Sequence, residues 1–301
     1  MPPVPESAPS PSEGAPAGPG DRYVGDAAGA AAVEIRPAAT VMLVRDGEPD
    51  PTDGSTLEVC LLRRNLQSQF VGGVHVFPGG AVDPGDADPT VLSRCDGLTP
   101  EEAEAAGGLA FWVASIRESF EEAGLLAARH ASDGRLLSLR DDAVAARFAE
   151  HRRAIDAGER SIGEILEAED LRLDLSGTHF VSRWITPLGL VRRYDTRFFV
   201  AAAPAGQRAA HDGREAIAAE WHRPPETLRR HAAGELVMRL PTIASLGWLT
   251  ESSTAAEAIA AAAAIVDPPV IEGPPVRPVA APADAGIAPE VEALAEPEAA
   301  A

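Results

Sequence analysis

The sequence predicts an α/β fold, with a mixed sheet covered by helices on both sides. Three observations point there. Strand-like apolar runs and helix-periodic segments alternate between residues 36 and 251. Hydrophobic residues make up 45% of the 301-residue chain, enough for a sizeable core. Composition shifts sharply at both ends. Residues 1–30 hold seven prolines and five glycines, and residues 267–301 repeat Pro, Ala and Glu. Neither stretch can bury enough apolar surface to offset its ordering entropy. The expected organisation is a disordered tail over 1–35, one folded domain over 36–251 and a second tail over 252–301.

Thr40-Val41-Met42-Leu43-Val44 reads as a buried strand, and Leu57 to Leu62 as a second. The Asp-Gly pairs at 46–47 and 53–54 lie between them, so a hairpin is expected. Val74-His75-Val76-Phe77 alternates and stops at Pro78-Gly79-Gly80. A long helix runs from about Leu109 to Ala123 and ends at Gly124. Residues 140–170 read as one or two amphipathic helices. Strands return at His179–Ile185, Arg197–Ala202 and around Glu220–His222. Thr227–Ala233 and Thr242–Leu249 close the domain as helices. Ala255 to Val266, broken by Glu257, is too short to span a bilayer and reads as an alanine helix or a linker.

The charge balance narrows the function. With 26 basic and 46 acidic residues the formal net charge is -20, which argues against nucleic acid or an anionic membrane as partner. All the basic residues are arginine, so Schiff-base lysine chemistry and a P-loop lysine are excluded. Cys60 and Cys95 form no CxxC motif, which speaks against a thiolate zinc site or a disulfide framework and suits a reducing, cytoplasmic setting. No basic residue precedes Arg22 and no apolar run accompanies it, so no signal peptide is expected.

The helix from Leu109 carries the chemistry. At 100° per residue, Leu109, Trp112, Val113, Ile116 and Phe120 share one face, and Glu118, Glu121 and Glu122 the opposite one. Like charges at this spacing repel. Arg117 can pair with Glu121 at i+4, but one arginine cannot satisfy three carboxylates. A hard divalent cation, Mg²⁺ or Mn²⁺, can. On the helix pattern alone, a solvated acidic face on an acidic protein is the alternative.

The surrounding residues resemble a known box. Gly80, five residues, Asp86, and then Arg117-Glu118-Ser119-Phe120-Glu121-Glu122-Ala123-Gly124-Leu125 resemble the Nudix signature GX5EX7REUXEEXGU. Asp86 stands for the box glutamate, Ser119 for an aliphatic residue, and 87–116 place 30 residues where the pattern has 7. The peroxisomal coenzyme A diphosphatase-like branch is similar, with an FPGG loop and a long insert inside the box. Leu61-Leu62-Arg63-Arg64-Asn65 with Gly73 to Gly80 resembles that branch's upstream motif. So do Trp184-Ile185-Thr186-Pro187, the Arg192 to Phe199 run and His211-Asp212-Gly213-Arg214-Glu215.

The resemblance implies a Nudix-type α/β/α sandwich around a mixed sheet, with helical insertions at 87–108 and 140–170. Thr99-Pro100-Glu101-Glu102 marks a helix start inside the first. It also implies metal-dependent hydrolysis of a small nucleoside diphosphate derivative. Coenzyme A or an acyl-CoA is the leading substrate, cut to 3′,5′-ADP and a 4′-phosphopantetheine. ADP-ribose or NAD(H) is the alternative substrate, and a non-catalytic nucleotide-binding module the alternative function. By the same resemblance Glu118, Glu121, Glu122 and the Gly79 carbonyl hold the metal, Arg117 and Asp86 orient the carboxylates, and Glu118 or Glu215 is the general base. Arg63, Arg64, Gly80, Arg193 and Arg197 are the substrate-binding candidates. Arginine forks suit phosphate, although these arginines could instead pair with surface acids. His75 alternates with core residues and reads as a packed histidine.

Overall fold

The computed structural model describes Gly29 and residues 32–65, 73–213 and 216–273. Most of the expected 1–35 tail (1–28 and 30–31) and the 274–301 part of the expected 252–301 tail, together with 66–72, Arg214 and Glu215, lie outside the described residues.

Strand β1 (Ile35–Asp46) runs through the middle of a mixed sheet. Ala39, Val41 and Leu43 enter one apolar cluster, while Met42 and Val44 enter another on the opposite face. A strand buried on both sides needs such a continuous apolar run. β2 (Leu57–Arg64) returns antiparallel to β1 through the expected hairpin, with Val44 opposite Val59. The two strands then part. β3 (Val74–Val76) pairs with β2 at Leu62↔Val76, and β4 (Gly79–Ala81) pairs with β1 at Thr40↔Gly79. The Phe77-Pro78 link thus bridges the fork between β1 and β2. The Val41 N–H donates to the Pro78 carbonyl at 2.9 Å.

Two short sheet partners sit beside each other outside the main sheet. β5 (Cys95–Asp96) of the box insert pairs in parallel with β7 (Leu171–Asp174), and β7 pairs antiparallel with β6 (Ala128–His130). The insert at 87–108, residues 128–130 and the segment that follows 140–170 therefore each give a strand to one three-stranded sheet, which ties together regions the sequence treats separately.

On the other edge of β1 lies β9 (Arg193–Ala202), parallel along its whole length. β8 (Thr178–Ile185) is antiparallel to β9, and β10 (Ala216–His222) pairs with the second edge of β2. β11 (Val237–Met238) extends β3.

Helix α1 (Pro89–Leu92) and α2 (Pro100–Ala105) lie in the insert. α2 starts as expected: Thr99 and Glu102 form a reciprocal capping box with Pro100 next to the cap. α3 (Leu109–Ala123) packs on one face of the sheet and stops at Gly124, whose φ of 70° is the left-handed conformation a glycine adopts without strain. The 140–170 segment resolves into α4 (Asp142–Asp156) and α5 (Ile162–Ala168). α6 (Pro224–Ala232), α7 (Leu240–Leu249) and α8 (Ala255–Ala263) follow, with α7 and α8 covering the other face. The layers are the predicted α/β/α arrangement.

The boundary at 251 moves. Ala255, Ala258 and Ala262 of α8 are buried against Met42, Val44 and Val200. β12 (Val270–Glu272) adds a parallel strand beside β8. The Ser253 carbonyl accepts from Thr56 N and Leu57 N at 2.8 and 3.0 Å, and Ala255 N donates to Asp46 Oδ1 at 2.9 Å. An alanine-rich stretch looks like a tail in composition, yet methyl-sized side chains let a helix lie close on a sheet. Cutting the chain after Glu251 is expected to lower its stability by about 3 kcal/mol or more, from the apolar area uncovered. A urea melt of the truncated chain against the full chain measures it.

Candidate active site

The helix α3 is buried almost all round. Trp112, Val113, Ile116 and Phe120 face the core as the helical wheel requires, but Arg117 and Glu122 are also only 6% and 8% exposed. The acidic side is covered by β4 and by the turn at Pro84–Ala87, while α4 packs on the core side, its Phe148 ring edge-on to Phe120 at 6.3 Å. A solvated acidic face is therefore not what the fold builds.

Arg117 is the hub of the carboxylates. Its Nε donates to Asp86 Oδ1 at 2.8 Å and its Nη2 to Asp86 Oδ2 at 3.0 Å, a two-pronged pairing. Nη2 also donates to the Ala81 carbonyl at 2.8 Å. Nη1 is shared between Glu118 Oε1 at 2.9 Å and Glu121 Oε1 at 3.1 Å. Asp86 is fully buried and accepts a further bond from the Asp83 N–H at 2.8 Å. The pairing of Arg117 with Glu121 is the one expected at i+4. The bonds to Asp86 span the insert and are visible only in the fold.

Negative charge is in excess here. Three carboxylates bond to one guanidinium, and Asp83 lies 3.8 Å from it. Burial pushes the Glu118 carboxyl up to about 7 against the pull of Arg117, with Glu121 and Asp83 adding to the rise. Burial also raises Glu121. For Arg117, burial opposes the charge, but the bond to Asp86 and the surrounding carboxylates outweigh it and hold the guanidinium above its ordinary value.

The glycines sit where backbone must come close. A Cβ on Gly80 would fall 2.6 Å from Glu118 Cδ, and one on Gly79 would fall 2.7 Å from Thr40 Cα. Only glycine lets β4 lie between β1 and the glutamates. Glu122 faces the same loop, and its Oε2 accepts from the Gly79 N–H at 2.8 Å. Gly79, Gly80, Asp86, Arg117, Glu118, Glu121 and Glu122 are thus brought into one cluster. The donors suit a hard cation in type and charge. Among the described residues, however, no three acidic, histidine or cysteine side chains are gathered as a ready-made ligand set.

The other candidate residues separate. Arg63 and Arg64 are neighbours on a strand, so they point to opposite faces. Arg63 lies opposite His75 on β3, and Arg64 alternates with Cys60 and Leu62 on the face of α3. The two arginines expected near substrate on β9 are bonded inside the fold instead. Arg193 Nε donates to the Thr186 carbonyl at 3.0 Å, and its Nη2 pairs with Glu272 at 3.1 Å. Arg197 Nε donates to the Ala106 carbonyl at 2.9 Å, its Nη1 pairs with Asp195 at 2.7 Å, and its guanidinium stacks 4.0 Å from the Phe111 ring. Arg197 thereby fastens the box insert to the sheet. His75 is packed, 6.0 Å from the His222 ring, and burial lowers the pKa of both. Glu215 falls outside the described residues; its neighbour Asp212 accepts from Ala216 N at 2.9 Å.

Two contributors escaped the sequence. Arg152 of α4 donates from Nε to the Glu121 carbonyl at 2.8 Å. Gln207 mimics a peptide: its Oε1 accepts from Leu126 N at 2.9 Å and its Nε2 donates to the carbonyls of Leu126 and Leu137. Neither carries a local signal, because each acts across a tertiary contact.

The NUDT19 Nudix domain family model matches residues 97–249, just over half of the chain, including the Arg117–Leu125 box helix. The chain belongs to the NUDT19 branch of the Nudix hydrolases. Relatives agree. The chicken (Gallus gallus) acyl-coenzyme A diphosphatase NUDT19 is 27% identical over 261 residues, covering 73% of this chain and 69% of the relative. The human (Homo sapiens) protein of the same name is 26% identical over 246 residues, covering 67% and 64%. The chain thus spans about two thirds of the length of these relatives. A crystal structure of a Nudix hydrolase from Alicyclobacillus acidocaldarius is similar at 29% identity and a TM-score of 0.63, covering 76% of this chain and 97% of that one. In this Nudix hydrolase the box Gly80, Asp86 and the FPGG loop precede the stretch the family model matches, yet the fold returns them to the box helix. No helix among the described residues is long and apolar enough to cross a membrane.

Proposed function

We propose that this Nudix hydrolase cleaves the diphosphate of coenzyme A or an acyl-CoA with the help of Mg²⁺ or Mn²⁺. The observation that carries the chemistry is the carboxylate excess around Arg117, set beside the bare backbone of Gly79 and Gly80. The substrate class is carried over from the names of the chicken and human relatives.

A protein of net charge -20 repels a diphosphate unless a cation lies between them. Glu118, Glu121 and Glu122 would hold it, with the Gly79 carbonyl as a further donor. A cation held there would supply charge to neutralise phosphate oxygens and would lower the pKa of an attacking water. The chain's own groups prepare the rest. Arg117 keeps Glu118 and Glu121 side by side despite their repulsion. Asp86 fixes Arg117 from behind. Gly80 leaves Glu118 the space a side chain would fill. Glu118, bonded to Arg117 and lying against the Gly80 backbone, is one candidate to take the proton of the water. Glu215 is the second candidate for that role. Water adds to one phosphorus, the bridging P–O bond breaks, and 3′,5′-ADP and (acyl-)4′-phosphopantetheine leave. The free thiols Cys60 and Cys95 suit a reducing compartment such as the cytoplasm.

Product chromatography tests this with coenzyme A, an acyl-CoA, ADP-ribose and NADH, each with Mg²⁺ and with Mn²⁺. Release of 3′,5′-ADP from the first two is the expected result. Turnover of ADP-ribose or NADH alone would keep the chemistry and change the substrate. No turnover of any compound would leave a nucleotide-binding module.

A further inference from the structure

The last carbonyls of a helix have no partner within it. In α3 two of them are taken up from outside. Arg152 Nε donates to the Glu121 carbonyl at 2.8 Å, and the Ala210 N–H donates to the Ala123 carbonyl at 2.9 Å. Arg152 Nη1 also donates to the His211 carbonyl at 3.4 Å. One guanidinium from α4 therefore joins the final turn of α3 to the chain around 210–211. It passes over the helix stop, since a Cβ on Gly124 would lie 3.1 Å from Nη1.

The carbonyl that Arg152 holds belongs to the peptide linking Glu121 to Glu122. Fixing that plane sets the direction in which both side chains leave the backbone. The arrangement is costly. Nη2 of Arg152 is sealed from solvent and has no hydrogen-bond partner, which leaves its desolvation uncompensated. Burial pulls the guanidinium's pKa down, while Asp212, Asp156 and Glu122 act the other way. A water or an exposed side chain could cap the same carbonyl without that penalty. Local rules broken at such a cost gather at functional sites.

We propose that Arg152 is a positioning residue of the hydrolase site, reaching from the inserted helix α4 to hold Glu121 and Glu122 in the placement that the cation and the diphosphate require. This rests on the Nudix hydrolase reading above. The inserted helices are thereby part of the catalytic apparatus, through a residue outside the box.

The test uses the full chain with Arg152→Ala, Arg152→Lys and, as a control, Arg153→Ala. Arg153 is an exposed neighbour that pairs with Glu150. Mn²⁺ binding is titrated by electron paramagnetic resonance, kcat and KM are measured with coenzyme A, and folding is followed by circular dichroism. Arg152→Ala is expected to bind Mn²⁺ about tenfold or more weakly, as loss of an outer-shell partner does. Its kcat should fall while KM for coenzyme A stays within about threefold, because the lost interaction acts on the reacting centre rather than on binding. Added guanidinium ion should restore part of the loss, which a general packing defect would not allow. Arg153→Ala should match the wild type in both readouts. A folded Arg152→Ala with wild-type Mn²⁺ affinity and kcat overturns the proposal. If Arg152→Ala does not fold, Arg152→Lys decides. Lysine can reach the Glu121 carbonyl but cannot bridge to His211 as well, so a several-fold loss of Mn²⁺ affinity supports the proposal and none overturns it. If the wild type binds Mn²⁺ but splits no substrate, the hydrolase reading fails and the Mn²⁺ comparison still decides the role of Arg152. A wild type that binds no Mn²⁺ overturns the proposal.

Discussion

Glu122→Gln is expected to lower the hydrolysis rate by roughly 100-fold or more while the protein stays folded. The reasoning is geometric. Glu122 is 8% exposed and its Oε2 accepts from the Gly79 N–H. A glutamine has the same length, and its amide oxygen can keep that bond. Only the negative charge is lost, and with it one of the carboxylates assigned to the cation. Initial rates with coenzyme A and Mg²⁺, alongside a thermal melt, check both halves. A variant with an unchanged rate would mean that Glu122 serves only to latch the glycine loop.

Asp86→Ala should be the most damaging change to stability, at about 3–5 kcal/mol, because it leaves the charge of Arg117 buried without its main partner. Asp86 is fully buried, accepts two bonds from Arg117 and one from the Asp83 N–H, and joins the turn before the insert to the helix after it. Among the described residues, Glu118 and Glu121 would then be the carboxylates left within bonding distance of Arg117, with Asp83 at 3.8 Å. The urea midpoint against the wild type measures the loss. Asp86→Glu would restore the more usual box residue, yet it adds a methylene to a filled site and should still cost about 1–3 kcal/mol. A short acid suits this chain because the 3-10 turn at Pro84–Ala87 brings the backbone close to Arg117.

Much of the architecture is legible in the amino acids. The run at Thr40–Val44 is apolar at every position but its first because both faces of β1 are covered. The end of α3 is written in Gly124, and the start of α2 in Thr99, Pro100 and Glu102. The glutamates and glycines of the site are legible because their spacing along the chain is tight and chemically unusual. What stays hidden depends on partners distant in sequence. β5 is two residues long and finds β7 only after four helices have intervened. α8 is built of alanines, whose value lies in how near they allow a helix to approach. Arg193 and Arg197 show a positive charge in the sequence, but not that Glu272, Asp195 and the Ala106 carbonyl consume it. Arg152 looks like any surface arginine of an amphipathic helix until its acceptor is seen.

The pairing of β1 with β9 has a consequence for how the molecule comes into being. The register runs in parallel from Ile35↔Arg193 to Val44↔Ala202, so the sheet's central seam joins residues more than half the chain apart. Such non-local pairing must close a very long loop before any contact rewards it, which slows folding. During synthesis β1 leaves the ribosome long before β9 and α8, with Met42, Val44 and their neighbours uncovered, and waits for β9 and then for α8. At about 5–20 residues per second that wait lasts on the order of ten seconds or more. Until β9 is made, the nascent chain therefore carries an exposed hydrophobic strand with an open edge, the state in which aggregation competes with folding.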